Sequence, residues 1–170
     1  MANGFDIKKV ERGIREMQRE LPIKVGNMAL NWFKGSFRRQ GFTDKGFRRW
    51  KKRTPSAPRN KGRAILTDTG TLKNSLRITK RTLRQVTIST RVPYADIHNE
   101  GGVISGNQSV RAHERKYTKG RLKGRTVKVK SFNRDVNTTI PQRKFMGDSE
   151  QLQRRITKLV VKSIDKALGF

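Results

Sequence analysis

His98 has the neighbours that most suggest catalysis, because the carboxylates of Asp96 and Glu100 lie two positions before and after it. A carboxylate that orients an imidazole is a common arrangement for general acid–base chemistry. Residues 93–102, however, have the pattern of a short helix, with a proline in the first turn and a glycine pair at the end. Side chains two positions apart on a helix point to different faces, so both carboxylates cannot orient His98. We therefore interpret His98 as a structural histidine that holds this helix against a neighbouring loop.

The other residue types that carry chemistry are absent or isolated. The chain of 170 residues contains no cysteine, and its two histidines are His98 and His113. Disulfide frameworks, thiolate metal sites and thiol catalysis are thereby excluded, and a dedicated histidine metal site is not expected. The sequence has neither a serine in a nucleophile-elbow pattern nor a glycine-rich phosphate loop. These observations predict a protein that is not an enzyme and that has no metal or cofactor.

Positive charge is the strongest functional signal in the composition. The chain has 41 Lys and Arg against 13 Asp and Glu, which gives a formal net charge of +28. Ion pairs within the chain leave most of this charge unneutralised, and such an excess favours a polyanion or an acidic protein surface as partner. The charge is concentrated in a loop at 41–65 and in an excursion at 103–139, of which the second holds ten Lys and Arg and two acids.

Two basic stretches in one chain favour contact with phosphate groups over a surface that is merely solvated. No zinc-finger or helix-turn-helix pattern accompanies them, so nothing indicates that bases are read. We expect these basic side chains to contact a partner or DNA: Arg48, Arg49, Lys51, Lys52, Arg111, Arg115, Lys119, Arg121, Lys123, Arg125, Lys128 and Lys130.

Helical periodicity predicts the elements that position these residues. Apolar residues at three- and four-residue steps predict a first helix over residues 5–21. Proline suits the first turn of a helix and disfavours its interior, so a second helix is expected from Pro22 to about residue 40, before Gly41. A long last helix, capped by Asp148 or Ser149, is expected to continue to Leu168.

Alternating apolar and polar residues over 76–89 predict two antiparallel strands, and the pattern at 103–139 predicts a projecting basic β-hairpin. Phe47 and Trp50 are expected to dock the 41–65 loop on the core. The fold class is then α+β: one domain over 1–170, with a small antiparallel sheet packed against two N-terminal helices and a long C-terminal helix. No apolar run approaches the ~18 residues of a membrane span, and the first residues lack the apolar stretch of a secretion signal. We expect no membrane partner and a protein that stays in the compartment where it is made.

Three strings that occur in order along the chain resemble a known family. They are LTDTGTLKNSL at 66–76, PYADIHNEGG at 93–102 and IPQRKFMG at 140–147. Together they resemble the virion morphogenesis, or tail-completion, family of Mu-like tailed bacteriophages, which has a shorter loop in place of the excursion. The residues that carry the resemblance are Gly70, Leu72, Ser75, Tyr94, Ala95, Ile97, His98, Gly101, Gly102, Pro141, Arg143, Phe145 and Gly147.

The resemblance implies a non-catalytic structural protein of the neck or upper tail of the virion, made in the cytoplasm of the host bacterium. Such proteins join the DNA-filled head to the tail as a ring, commonly a hexamer, between the portal or connector and the tail-tube or tail-terminator proteins. The resemblance also implies that four apolar side chains pack the short helix and the return segment against the sheet: Tyr94, Ile97, Phe145 and Met146. It implies further that Arg143 reaches a carboxylate or a carbonyl cluster, on this or a neighbouring subunit.

The basic stretches could occupy either of two positions in such a ring. They either meet the packaged double-stranded DNA in the lumen or grip acidic neighbouring subunits. A free nucleic-acid-binding protein that does not recognise sequence is the alternative function, because the same cations would serve it.

Overall fold

The computed structural model describes residues 6–52 and 62–169. In chain order the elements are α1 (Ile7–Arg39), β1 (Gly41–Thr43), β2 (Phe47–Arg49), α2 (Thr71–Ser75), β3 (Arg77–Arg81), β4 (Val86–Ser89), α3 (Ala95–Glu100), β5 (Gly102–Val110), β6 (His113–Lys116), β7 (Thr126–Val129), β8 (Phe132–Ile140) and α4 (Glu150–Leu168). This arrangement confirms the α+β fold class and the long C-terminal helix. Within the described residues the antiparallel pairing is divided among four two-stranded ribbons: β1–β2, β3–β4, β5–β8 and β6–β7.

The N-terminal region is one helix, α1, and not the two helices expected around Pro22. Pro22 lies in the interior of α1 and is buried. A proline there removes one backbone hydrogen bond and costs about 3 kcal/mol. The apolar stripe nevertheless continues in phase on both sides of Pro22, and α1 packs along α4. The prediction was wrong because burial of this long face outweighs the local cost of the proline.

The core lies around the C-terminal half of α1. Phe37 and Phe145 are almost fully buried, and their ring centroids lie 5.2 Å apart. Trp50 approaches Phe37 edge-on at 5.6 Å, and its indole N–H donates to the Lys144 carbonyl at 2.8 Å. Trp50 therefore docks the start of the 41–65 loop as predicted. Phe47 does not, because its ring lies beside the Gly41 backbone at the ribbon surface and is 51% exposed.

Helix α4 begins at the cap that the sequence predicts. The Ser149 hydroxyl accepts a hydrogen bond from the Leu152 amide (3.2 Å) and donates to the Thr43 carbonyl (2.7 Å). Asp44 adds a second attachment, because its carboxylate accepts from the Glu150 amide at 2.9 Å. This backbone hydrogen bond holds the pKa of Asp44 below its ordinary value. The β1–β2 ribbon thus fixes the start of α4.

Residues 102–140 form the projecting hairpin that the sequence predicts at 103–139. We call residues 102–110 and 132–140 the stem, in which β5 pairs with β8 without interruption. We call residues 111–130 the tip, in which β6 pairs with β7 and the Gly124 amide donates to the Tyr117 carbonyl in the turn. Each stem strand has nine residues, and at ~3.3 Å per residue the stem is about 30 Å long. The hairpin therefore carries its tip well away from the core.

Candidate functional site

The charge of the hairpin lies in its tip. The stem carries only Arg134 and Asp135, which cancel. Arg134 donates to Gln108 through Nε (3.0 Å) and Nη2 (2.8 Å), and Asp135 accepts from Asn107 (3.2 Å), so both charges are bonded across the ribbon. The tip has nine Lys and Arg against a single acid, Glu114, which gives a net charge of +8. The structure therefore divides the basic excursion into a neutral stem and a strongly cationic end.

Every cation of the tip is exposed to solvent. Lys116 is among them, although sequence reasoning missed it; its position inside the same run of charge was the available signal. Arg115 lies over the Tyr117 ring at 5.2 Å. The predicted contact residues that the structure brings together in the tip are Arg111, Arg115, Lys119, Arg121, Lys123, Arg125, Lys128 and Lys130.

The ion pairs within residues 6–52 and 62–169 lie outside the tip. Two of them join neighbouring turns of α1 and one joins neighbouring turns of α4. The fourth joins Arg63 to Asp68, between the 41–65 loop and α2. Like charges that lack such pairing repel one another at close range. The tip is therefore a surface whose charge is compensated by solvent ions or by another molecule.

The cations of the tip lie on both faces of its ribbon, not on one. Successive residues of a strand point to opposite sides of a ribbon. Glu114 and Lys116 therefore share one face of β6, and Arg115 lies on the other. Lys128 is in register with Glu114 and joins the first face. Such a tip presents positive charge to phosphate groups or carboxylates on both of its sides.

The second predicted set of basic contacts belongs to the core-bound β1–β2 ribbon and the residues after it. All four side chains, Arg48, Arg49, Lys51 and Lys52, are exposed. Arg48 and Arg49 lie in β2 of the ribbon that seats α4, and Lys51 and Lys52 follow it. These four cations form a group separate from the tip of the hairpin. Residues 53–61 of the predicted 41–65 loop lie outside the described residues.

The base of the hairpin is fixed by a side chain that sequence reasoning missed. Asn99, in α3, accepts hydrogen bonds from the backbone amides of Phe145 (2.9 Å) and Met146 (3.1 Å) through Oδ1. The Arg143 amide donates to the His98 carbonyl at 2.7 Å. These bonds join α3 to the return segment that follows β8, so they hold together the two ends from which the hairpin projects. An asparagine before a glycine pair was the only local signal, and its partners lie about 45 positions away.

The glycines of the family strings permit this close approach. Gly101 has φ +76°, and a Cβ there would lie 2.8 Å from the Gln142 backbone nitrogen. Gly102 has φ +153°, and a Cβ there would meet the Ile97 side chain at the same distance. Gly147 also has a positive φ, of +135°, in the return segment. The start of the hairpin and the return segment therefore use backbone conformations that favour glycine.

The two carboxylates beside His98 lie at the surface of α3. The Glu100 carboxylate accepts from the Asn99 amide group at 2.6 Å, and Asp96 is exposed. The Tyr94 ring meets the His98 ring edge-on, with centroids 5.9 Å apart.

One residue of the family strings, Tyr94, is more exposed than the resemblance implied. Tyr94 is 45% exposed and is not packed against a sheet, because its ring lies on His98 at the surface of α3. Arg143 is buried, with 7% of its surface exposed; its implied contact with a carboxylate or a carbonyl cluster, on this or a neighbouring subunit, stays a prediction. Phe145 is fully buried beside Phe37 of α1, and Ile97 and Met146 are half-buried. Their packing against a sheet stays a prediction.

The first family string fixes α2. Gly70 has φ +73° and precedes the helix, and Leu72 is buried in the core. The Ser75 hydroxyl donates to the Leu72 carbonyl (2.7 Å) and lies 2.6 Å from the Thr90 hydroxyl. Ser75 thus attaches α2 to the segment between β4 and α3, and Leu72 anchors α2 in the core. Pro141 and Ala95 lie where that segment and the return segment meet α3, and Ala95 is buried.

The described residues show no group of three or more His, Asp or Glu side chains that could hold a metal ion. None of the helices in the described part of the chain combines the length and the apolar character needed to cross a membrane.

The comparisons with known proteins give one result. Neither the curated proteins nor the solved structures include a match. A family model, described as the phage virion morphogenesis family, matches residues 12–165. That range covers most of α1, the whole hairpin and nearly all of α4, and it contains all three family strings. The chain therefore belongs to the phage virion morphogenesis family.

Proposed function

We propose that this protein is a non-enzymatic subunit of the phage neck, which joins the DNA-filled head to the tail or completes the tail. Membership of the family gives it a role in phage morphogenesis and an association with the virion. The joining role is more specific than family membership and is part of this proposal. The resemblance to the Mu-like type stays a prediction. The observation that supports it best is the projecting hairpin, about 30 Å long in its stem, whose residues are mostly exposed. A protein built around such a projection is suited to contact other molecules beyond its own core.

Assembly into a ring, expected to be a hexamer, is supported by the stem. Residues on one of its faces include Ile104, Val110, Phe132 and Val136, by the register of β5 and β8. Ile104 is 48% and Phe132 is 45% exposed. A two-stranded ribbon alone is marginally stable in water, so burial of this face by neighbouring subunits would stabilise the hairpin. The proposed neighbours along the axis are the portal or connector above and the tail-tube or tail-terminator proteins below.

Deletion of the gene from the phage tests the joining role. We expect full heads and complete tails that remain separate, and infectious particles that return when the purified protein is added to the lysate. The triple variant R121E, K123E and R125E should fail to restore joining. The matched variant R12E, K158E and K162E, which reverses three exposed charges on α1 and α4, should restore it. Joined, infectious particles from the deletion phage would contradict the proposal.

A free nucleic-acid-binding protein that does not recognise sequence is the second candidate function, and the exposed cations of the tip favour it. Its distinguishing property is location, because such a protein acts in the cell and is not retained in the particle. Protein analysis of purified virions separates the two functions: the neck subunit is present in a small fixed number of copies.

A further inference from the structure

We infer that the tip of the hairpin is a binding site for the phosphates of duplex DNA, and that the neutral stem is a spacer that carries this site away from the core. The inference rests on the proposed function only for where the duplex is found, namely in the passage between head and tail. Binding itself is a property of the tip. It therefore can be measured on the purified chain.

The separation of charge along the hairpin is the first argument. Charge that serves only solubility need not be concentrated at one end of the hairpin. The stem is nevertheless neutral, and the tip carries +8. Arg134 and Asp135 of the stem bond to neighbouring amide side chains, so even these charges are satisfied locally. The tip cations are exposed, and the ion pairs of the described residues lie elsewhere. A polyanion at the tip would relieve a repulsion that the chain itself does not relieve.

The dimensions of the tip match those of duplex DNA. Strands β6 and β7 have four residues each, which gives a ribbon about 13 Å long at ~3.3 Å per residue. Duplex DNA carries one charge per ~1.7 Å of its axis, or about eight charges over that length. The major groove, about 12 Å wide, admits a two-stranded ribbon. Because the cations lie on both faces of the tip, both walls of the groove would meet positive charge.

The composition of the tip favours nucleic acid over a protein surface and gives no signal for adenine readout. It contains no asparagine or glutamine, the side chains that pair with adenine edges. Protein interfaces usually centre on exposed apolar or aromatic anchors. In the tip Tyr117 is covered by Arg115, Leu122 and Val129 are half-buried, and Val127 is 40% exposed. An acidic protein partner would therefore find charge but little apolar surface.

Binding of the full-length protein to a mixed-sequence duplex of about 25 base pairs tests the inference, measured by fluorescence anisotropy between 50 and 200 mM salt. The test variant is R121Q, K123Q and R125Q, in the tip. The matched control is R12Q, K158Q and K162Q, which removes the same charge from the exposed faces of α1 and α4. Circular dichroism establishes that both variants are folded.

The wild-type protein should bind with an affinity that falls steeply with salt. Three lost phosphate contacts should lower the slope of log K against log salt by about 3 and weaken binding at 100 mM salt by about 100-fold. The control should change the affinity by less than about threefold. Equal losses in the two variants, or no binding at 50 mM salt, would overturn the inference. Competition by poly-glutamate as effective as that by duplex of equal charge would overturn it too, because it would indicate an acidic protein partner.

The inference about the tip and the proposed function can be contradicted independently of each other. A chain missing from the neck would contradict the proposed function and leave the affinity of the tip for duplex unchanged. A chain located in the neck whose tip variant binds duplex as tightly as the wild type would overturn only the inference about the tip.

Discussion

At the scale of single residues, polar side chains rather than apolar ones fix the connections around the hairpin and α4. Asn99 satisfies two backbone amides of the return segment, and Ser149 bonds both to the first turn of α4 and to β1. Ser149 could be predicted from the sequence, because a cap lies next to the helix that it serves. Asn99 could not, since its partners are 46 and 47 positions away. The same holds for Gln40, whose amide group bonds to the backbone of Ile65.

The variant Asn99→Ala should destabilise the fold. It removes the acceptor of two part-buried amides, and a buried donor left without a partner costs about 1–3 kcal/mol. Urea denaturation measures the change in the free energy of unfolding. The control Asn137→Ala, at an exposed position of β8, should change it by less than about 0.5 kcal/mol. Equal effects of the two substitutions would show that Asn99 does not hold the return segment.

The Asp44 carboxylate should make the free energy of unfolding depend on pH in the acidic range. The hydrogen bond from the Glu150 amide lowers the pKa of Asp44 in the folded protein, so the unfolded chain takes up its proton first as the pH falls. The contribution of Asp44 is therefore present above its unfolded pKa, about 4, and is lost as the pH falls through the lower folded value. Thermal unfolding of the wild type and of Asp44→Asn measures it. Their difference should stay constant from about pH 5 to 7 and shrink toward pH 2; a difference that grows in acid would contradict this account.

At the scale of elements, local patterns predicted those whose causes are local. Alternation predicted β3 and β4, and the apolar stripe with its serine cap predicted α4. The prediction of two helices that meet at Pro22 was wrong. The low helix propensity of one proline is outweighed by burial of the α1 face that packs along α4. The projecting hairpin was predictable from its basic, alternating sequence. Its partition into a neutral stem and a charged tip became clear only from the register of β5 with β8.

Removal of the hairpin should leave the core folded. Val103 lies opposite Thr139 in the stem, so residues 104–138 can be replaced by Asn-Gly, a two-residue hairpin turn. The bonds of Asn99 and the Phe37–Phe145 contact lie outside the removed segment. Calorimetry should show one cooperative transition with a Tm within about 5 °C of the wild type. Loss of cooperative unfolding would show that the hairpin is part of the folding unit.

At the scale of the whole molecule, a lean core carries a charge that its own acids do not neutralise. The chain has a net charge of +28, and the structure places +8 of it at the end of a projection, in the tip. Family membership accounts for such a surface in a particle assembled from many proteins around DNA. The family could be recognised from the three strings because they fix α2, α3 and the return segment, where positive-φ glycines and the Asn99 side chain join these segments. The neighbours in the particle were predicted only through the resemblance, since no local pattern of residues records them.

Electron cryo-microscopy of intact particles shows where this chain lies. We expect a ring of it between the portal or connector and the tail tube, with its basic hairpin tips directed toward the DNA passage. Purified virions that lack the chain, or density that places it in the capsid shell or along the tail, would contradict the proposed role in the neck.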